Sequence, residues 1–196
     1  NYIYPLEENH RFPMIKYELI PEQLIRENTC VNDNFFNPGK IDKKLVLLTH
    51  QEEYFNRFKS LKLSKKEIRE IGFPLSKELV EREMEIAQGT VMGVNYSLKN
   101  GISMNIAGGT HHAFFDRGEA FCMLNDQSIA ANYLLKEKLV KKIMIIDLDV
   151  HQGNGTASIF KRNNNVFTLS FHGKKNYPFR KEISDLDIEF EDNTND

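Results

Sequence analysis

The stretch KIMIIDLDVHQGNGT, residues 142–156, carries two carboxylates and an imidazole at a spacing that could bring them together. Asp147, Asp149 and His151 occupy alternate positions, and alternate side chains of an extended backbone point the same way. Carboxylate oxygen and imidazole nitrogen suit a divalent ion such as Zn²⁺, so Asp149 and His151 are candidate metal ligands. Two ligands do not complete a zinc site, because zinc takes at least three from the protein.

Two adjacent histidines, His111 and His112, follow a Gly-Gly pair that lets the backbone turn tightly. Such a pair could ligate a metal, face solvent, or divide acid and base tasks between its two rings. Acid/base work needs a partner that fixes the tautomer and tunes the pKa. Asp147 could serve one ring and Asn154 the other, although a neutral amide cannot raise basicity as a carboxylate would. Alternatively, Asp147 only caps a strand end.

The elements around these residues predict where they meet. The apolar run 143–146 is typical of a strand buried on both faces of a parallel sheet. The pattern predicts strands over 102–107, 143–148 and 166–171, with helices over 126–138, capped by Asn125, and over 156–161. Such alternation favours right-handed crossovers and a parallel sheet with helices on both faces. The loops 108–112, 149–151 and 172–173, which hold four of the six histidines, should then converge on one rim.

The N-terminal half predicts mainly helices. Helical spacing over 10–27 is interrupted by Pro21, which indicates two short helices, and 51–61 resumes it. The apolar run 45–48 is short enough for a strand. Ser76 is a candidate N-cap for a long amphipathic helix that Asn100-Gly101 ends. The closing residues 189–196, EFEDNTND, have the composition of a loop.

Composition excludes several classes of protein. At 196 residues, with 40% hydrophobic and 28% charged residues, we expect one globular domain. A formal charge of −2 gives no basic excess for nucleic acid or an anionic membrane. Two cysteines are too few for a disulfide framework, and no apolar run approaches the roughly 18 residues that span a bilayer. We therefore expect a cytoplasmic protein without membrane or direct nucleic-acid partners.

Phe121 and Cys122 follow the His pair closely. Phe121 could belong to the core or form the wall of a narrow apolar tunnel. Cys122 has no adjacent base, so we interpret it as a small buried hydrophobe rather than a nucleophile.

Three motifs together, GGTHHAFFDRGEAFCMLND, IIDLDVHQGNGT and TLSFHG, resemble the zinc-dependent histone deacetylase family of the arginase/deacetylase fold. The likeness extends loosely to His10-Arg11-Phe12 and covers almost all of the chain. The form His-Gln-Gly-Asn-Gly is similar to the bacterial and class IV branch. The resemblance implies an α/β domain with three αβα layers and a mostly parallel sheet.

The resemblance also implies roles for the polar residues. Asp149 and His151 would ligate Zn²⁺, and His112 would act as general base and then general acid. His111, held by Asp147, would be its electrostatic companion. The reaction would remove acetyl or other acyl groups from lysine side chains, in a protein or peptide, or from related amines.

Further positions carry over. In many relatives an Asp stands where this chain has Asn154, so the tuning of His112 should differ. Phe121 and Gly109 would line the acyl-lysine tunnel, and Arg11 would lie near an internal product channel. A structural monovalent cation such as K⁺ would be held by groups from two strand ends: Asp147, Asp149, His151, Ser170 and Phe171.

Two family features have no counterpart after His172: a third zinc ligand, an Asp in a later loop, and an oxyanion-stabilising Tyr or His in a Gly-rich loop. We therefore expect residues 1–196 to form a single but incomplete catalytic domain, truncated at its C-terminus, that binds zinc weakly and turns over little. The alternatives are a binuclear ureohydrolase-like enzyme of the same fold and an inactive module kept for partner binding.

Overall fold

The computed structural model describes residues 2–195. Its elements, in chain order, are the helices α1 (Lys16–Arg26), a 3₁₀ turn (Asn32–Asn34), α2 (Lys43–Val46), α3 (Glu52–Lys59), α4 (Lys65–Ile71), α5 (Lys77–Asn100) and α6 (Asp126–Lys136), then strand β1 (Ile143–Asp147), helix α7 (Asn154–Phe160), and strands β2 (Val166–Gly173) and β3 (Leu186–Phe190). Over these residues, no helix combines the length and apolar character needed to cross a membrane.

The sheet is parallel with the order β1-β2-β3. Asp147 at the end of β1 pairs with Ser170 of β2, which in turn pairs with Asp187 of β3. The predicted α/β class with a parallel sheet is therefore confirmed. The β1-α7-β2 unit places the turn 148–153 at the carboxyl end of β1, the edge where open α/β sheets hold their ligands.

Two helix starts depend on side-chain caps that the sequence predicted. Ser76 Oγ accepts a hydrogen bond from the Leu79 N–H at 3.2 Å and caps the N-terminus of α5. Gly101, at φ +95°, caps the C-terminus of the same helix. Asn125 Oδ1 accepts from the Ser128 N–H at 3.0 Å and begins α6. Because the Asn125 side chain also donates to the Ala113 carbonyl, this cap helps to fix the backbone next to the His pair.

The main core lies among the helices and is dominated by aromatic residues of α3, Tyr54, Phe55 and Phe58, packed against Leu79 and Val80 of α5. A smaller cluster joins the helices to the sheet through Ala131 of α6, Phe160 of α7 and Val166 of β2. The helices α6 and α7 thus cover one face of the sheet.

The other face of the sheet is apolar and open. Met144 and Ile146 of β1 are 59% and 51% exposed, so the prediction that this strand is buried on both faces was wrong. Alternate residues of the three strands share this face in register: Met144, Ile146, Phe167, Leu169, Phe171, Leu186, Ile188 and Phe190. Within residues 2–195 the helices packed on the sheet lie on its opposite side.

Three predictions about residues 10–107 were wrong. The region 10–27 contains one helix rather than two, α1 (Lys16–Arg26), in which Pro21 removes a single helical hydrogen bond without ending the helix. Residues 45–48 are not a strand, because the Asp42 side chain accepts from the Lys44 N–H at 2.7 Å and caps helix α2. Residues 102–107 are irregular. There, Ser103 Oγ and Asn105 Nδ2 donate to the Gly93 and Ile86 carbonyls of α5.

The C-terminal prediction also failed in part. Glu189 and Phe190, expected in a loop, belong to strand β3. The alternation of Leu186, Ile188 and Phe190 was the available signal, since period-two spacing is typical of a strand. Acidic and turn-forming residues after Phe190 masked it.

Candidate active site

The loop that carries the His pair is held by a buried carboxylate. Asp126, 1% exposed at the start of α6, accepts hydrogen bonds from the backbone N–H groups of Gly109 (3.1 Å) and Thr110 (2.8 Å) and from Thr110 Oγ1 (2.6 Å). Gly109 adopts φ +88°, a conformation that L residues rarely take. The loop therefore turns in a single fixed way, and Asp126 is a supporting residue that the sequence analysis missed.

The same loop is bound to helix α7. Asn125 Nδ2 donates to the Ala113 carbonyl at 3.1 Å and to Thr156 Oγ1 at 3.0 Å. The Thr156 N–H donates to the His111 carbonyl at 3.1 Å. Gly155 permits this approach, since a Cβ there would lie 2.3 Å from the Ala113 carbonyl oxygen. The first turn of α7 thus packs directly on the backbone of the His-pair loop.

His111 is paired with Asp147, as predicted. Its Nδ1–H donates to Asp147 Oδ2 at 2.5 Å. Burial opposes a charge on this ring, but the hydrogen bond and negative charge of Asp147 outweigh burial and raise the pKa of His111 above its ordinary value. His111 therefore keeps a proton to higher pH than an unperturbed imidazole would.

His112 is paired with Asn154, also as predicted. Its Nδ1 lies 2.7 Å from Asn154 Oδ1, which additionally accepts the Gly155 N–H at 3.0 Å. Because an amide oxygen only accepts, this contact assigns the proton of the neutral ring to Nδ1 and leaves Nε2 with a free lone pair. Burial, followed by the neighbouring His111 charge, lowers the pKa of His112 to about 4.

The two rings, with centroids 4.0 Å apart, thus have their pKa values shifted in opposite directions. Such divergence between neighbouring titratable groups is typical of acid/base sites. At neutral pH His112 is therefore uncharged and can accept a proton, and it lies beside a ring whose pKa is raised.

The candidate metal ligands lie next to the His pair. The His151 ring centroid is 5.9 Å from that of His112, so the predicted convergence of the first two loops is confirmed. Asp149 Oδ1 accepts from the His151 N–H at 2.7 Å and lies 2.8 Å from His151 Nδ1. Burial raises the pKa of Asp149, but these contacts and the charge of His111 outweigh it, and the net shift is downward. Across residues 2–195, no cluster of three or more His, Cys, Asp or Glu side chains could hold a metal ion.

The third loop joins the site through a residue that the sequence analysis did not single out. The Gly173 N–H donates to the Val150 carbonyl at 2.9 Å, and the Tyr177 ring packs edge-on against His112, with centroids 5.1 Å apart. The Tyr177 hydroxyl donates to Glu119, so its ring, rather than its hydroxyl, faces His112. Burial and Glu119 raise the pKa of this phenol, which keeps it protonated.

His172 does not share that position. It lies within β2 rather than in the following loop, is buried, and has Nδ1 3.1 Å from Ser170 Oγ and 4.0 Å from Asp187 Oδ1.

An open cleft of about 510 Å³ borders the site; it is lined by Lys66, Glu70, Arg117, Glu119 and Tyr177.

The roles predicted for Phe121 in a substrate tunnel and for Arg11 near a product channel stay predictions. Phe121, at φ +66°, packs on Phe12 and Phe73, with centroids 5.3 and 5.1 Å away, and Arg11 is exposed on the turn before α1. Cys122 is buried, which raises the pKa of its thiol and agrees with a packing role.

The predicted cation-site groups occupy neighbouring strand ends. Asp147 pairs with Ser170, and Phe171 follows on β2. Asp147 Oδ1 already accepts the Asp149 N–H at 3.0 Å. Binding of a monovalent cation there stays a prediction.

Comparison with known proteins identifies close relatives of this arrangement. Residues 6–195 match the family model of the histone deacetylase domain. The chain is 39% identical over 188 residues to an uncharacterized protein from Picosynechococcus, covering 96% of this chain and 63% of that protein. It is 28% identical to Histone deacetylase 2 of Arabidopsis thaliana, covering 89% of this chain and 46% of the relative. It is also 28% identical to the acetoin utilization protein AcuC of Staphylococcus aureus, covering 89% and 48%.

Solved structures agree with the fold. A crystal structure of an HDAC homolog from Aquifex aeolicus superposes with a TM-score of 0.78 at 24% identity, covering 96% of this chain and 55% of that one. An HDAC homolog complexed with SAHA gives a TM-score of 0.78 at 26% identity with the same coverage. The chain thus spans about half to somewhat under two thirds of the length of these relatives.

Proposed function

This chain belongs to the histone deacetylase family, and from that premise we propose that it supplies the general base and two metal ligands of a zinc-dependent hydrolase. The substrates would be acetylated or otherwise acylated lysine side chains, or related acylated amines. One observation carries the proposal: His112 is neutral with the lone pair of Nε2 available, and its ring lies next to the candidate ligand His151. The two ring centroids are 5.9 Å apart.

The donor set fits zinc in type but not in number. Asp149 provides oxygen and His151 nitrogen, both common zinc donors, whereas a catalytic zinc takes about three protein ligands. The absence of a three-residue cluster within residues 2–195 means that a further ligand would come from elsewhere. When bound, zinc would supply Lewis-acid polarisation of the acyl carbonyl.

The chain's own residues would move the proton. His112 Nε2 would accept a proton from the attacking water while its Nδ1–H stays bonded to Asn154 Oδ1. The same Nε2–H would then donate to the leaving amine. Burial, and after it the neighbouring His111, would keep His112 neutral beforehand. His111, whose pKa is raised by Asp147, would lie beside the negative charge that develops on the carbonyl oxygen.

The names of the relatives support this substrate class. The Arabidopsis protein is named a histone deacetylase, and an HDAC homolog was crystallised with SAHA. The formal charge of −2 agrees with an acylated protein, peptide or amine as partner rather than nucleic acid, and we propose a cytoplasmic location.

A panel of acylated peptides and amines tests the proposal. The natural polypeptide that carries this sequence should hydrolyse at least one of them, lose activity to a chelator and recover it with Zn²⁺. Replacement of Asp149 by Ala should abolish the recovery. The 196-residue chain alone, with only two ligands, should bind zinc weakly and turn over little.

The incomplete ligand set favours one second candidate, an inactive module that binds a partner. No hydrolysis of any panel member, with zinc in excess, would support that candidate instead.

A further inference from the structure

Glu119 lies in a short, well-anchored turn beside the site. Its backbone exchanges two hydrogen bonds with Cys122, each 2.9 Å long. The next residue, Ala120, donates its N–H to the Glu70 carbonyl at 2.9 Å, which ties the turn to helix α4. The position of the Glu119 Cα is therefore fixed by backbone contacts. Its side chain, 24% exposed, extends from this turn toward the His pair.

The Glu119 carboxylate contacts two groups that touch His112. Its Oε1 accepts from the Tyr177 hydroxyl and from Asn154 Nδ2, the latter at 3.4 Å. Its Oε2 lies 3.8 Å from Arg117 Nε, on the side of the open cleft. One carboxylate thus joins the amide that orients His112 to the aromatic ring packed against it.

We propose that Glu119 is a positioning residue for the general base. It holds the Asn154 amide with its oxygen toward His112 and keeps the Tyr177 ring against the same imidazole. His112 thereby keeps its proton on Nδ1 and presents Nε2 to the substrate. The inference rests on the proposed role of His112 as general base.

The need for such a residue follows from the chemistry of an amide. A carboxylate at position 154 could accept from His112 with either oxygen, but an amide has an acceptor end and a donor end of nearly equal size. A flipped Asn154 would aim its NH₂ at His112 Nδ1, shift the ring proton to Nε2 and remove the lone pair that must accept a proton.

Two contacts oppose that flip. The Gly155 N–H, 3.0 Å from Asn154 Oδ1, selects the oxygen end, and Glu119 selects the nitrogen end. Glu119 is an ionised acceptor, which makes a stronger bond than a neutral one at equal length. Removing it should leave only the Gly155 contact to hold the amide in its productive orientation.

Ring ¹⁵N and ¹H NMR of His112, in the metal-free chain above the histidine pKa range, reports the tautomer directly. Glu119→Gln keeps an acceptor oxygen at the same reach, whereas Glu119→Met fills a similar volume without one. Wild type and Glu119→Gln should show the Nδ1–H form. In Glu119→Met the ratio of Nε2–H to Nδ1–H should rise roughly threefold to tenfold, the scale of one lost hydrogen bond.

An unchanged His112 tautomer in a folded Glu119→Met chain overturns the proposal. If the Met variant does not fold by circular dichroism, the Asn154 side-chain amide protons decide. They should shift between wild type and Glu119→Gln because the acceptor loses its charge, and an absence of shift refutes the contact.

Activity gives an independent readout. In the natural polypeptide, Glu119→Met should lower kcat roughly tenfold with little change in KM, and Glu119→Gln should retain most of kcat. If the His112 tautomer changes in Glu119→Met as expected but the natural polypeptide hydrolyses no substrate, the positioning role stands and the proposed function is refuted. Full activity with a Met variant of altered tautomer would show that the tautomer does not matter, and the positioning role would fail.

Discussion

Replacing Gly155 by Ala should disturb the His pair more than any other single methyl group added in helix α7. A Cβ at this position would lie 2.3 Å from the Ala113 carbonyl oxygen and 2.7 Å from the His111 carbonyl oxygen. Both atoms belong to the backbone, so no side-chain rotation relieves the overlap. The helix and the His-pair loop would have to separate by about 1 Å to reach ordinary contact at 3.4 Å.

The magnitude follows from two opposing effects. Ala is favoured over Gly in a helix interior by about 1 kcal/mol, whereas forcing a methyl group into a packed site costs about 1–3 kcal/mol. We expect a net loss of about 1–2 kcal/mol in the free energy of unfolding, given the size of the overlap. A 1 Å displacement of catalytic groups typically lowers the rate by about 100-fold, which sets the expected loss of kcat.

Urea unfolding of the 196-residue chain measures the stability effect, and hydrolysis by the natural polypeptide measures the rate effect. Ser158→Ala in the same helix is the matched control and should change the free energy of unfolding by less than about 0.5 kcal/mol. A Gly155→Ala chain as stable as wild type, with an unshifted His112 ring resonance, would contradict the packing described here.

Three further predictions use other parts of the molecule. Burial lowers the pKa of His50 to about 4, so between pH 6.5 and 4 the unfolded chain takes up this proton more readily than the folded chain. The free energy of unfolding should therefore fall by roughly 3 kcal/mol over that pH range. The urea midpoint should depend less on pH in His50→Gln than in wild type, and equal pH dependence would refute the role of His50. Asp147→Asn removes the charge that favours protonated His111, and an NMR titration should find a lower His111 pKa; an unchanged pKa would mean that the contact is not the cause. The open apolar sheet face should drive self-association of the isolated chain, measured by sedimentation. The double substitution Ile146→Lys and Phe167→Lys should reduce this self-association, and a wild-type chain that stays monomeric at high concentration would argue against an exposed face.

Local patterns predicted the centre of the site well. The strand-turn-helix unit from 143 to 160, and the pairing of Asp147 and Asn154 with the two histidines, followed from period-two spacing and from the shared rim of parallel strands. The strand-turn-helix unit depends on neighbours in the sequence, which carries it directly. The two pairings join residues 36 and 42 positions apart, and the shared rim together with the family resemblance predicted them.

Features set by distant contacts were not predictable in the same way. Asp126 looked like an ordinary first-turn acid of α6, and only the fold brings it under the loop at Thr110. Tyr177 reaches His112 across 65 residues, and Glu119 reaches Asn154 across 35, with no local signal for either contact. The segment 102–107 has strand-like spacing, but its side chains bond to α5 instead of to a neighbouring strand.

The most direct test of the central claim is the rate of hydrolysis of an acetyl-lysine peptide by the natural polypeptide, compared between wild type and His112→Ala with and without Zn²⁺. A chelator should abolish the wild-type rate, Zn²⁺ should restore it, and His112→Ala should lower kcat by about 100- to 10,000-fold at saturating zinc. A rate that survives both the chelator and the loss of His112 would contradict this claim.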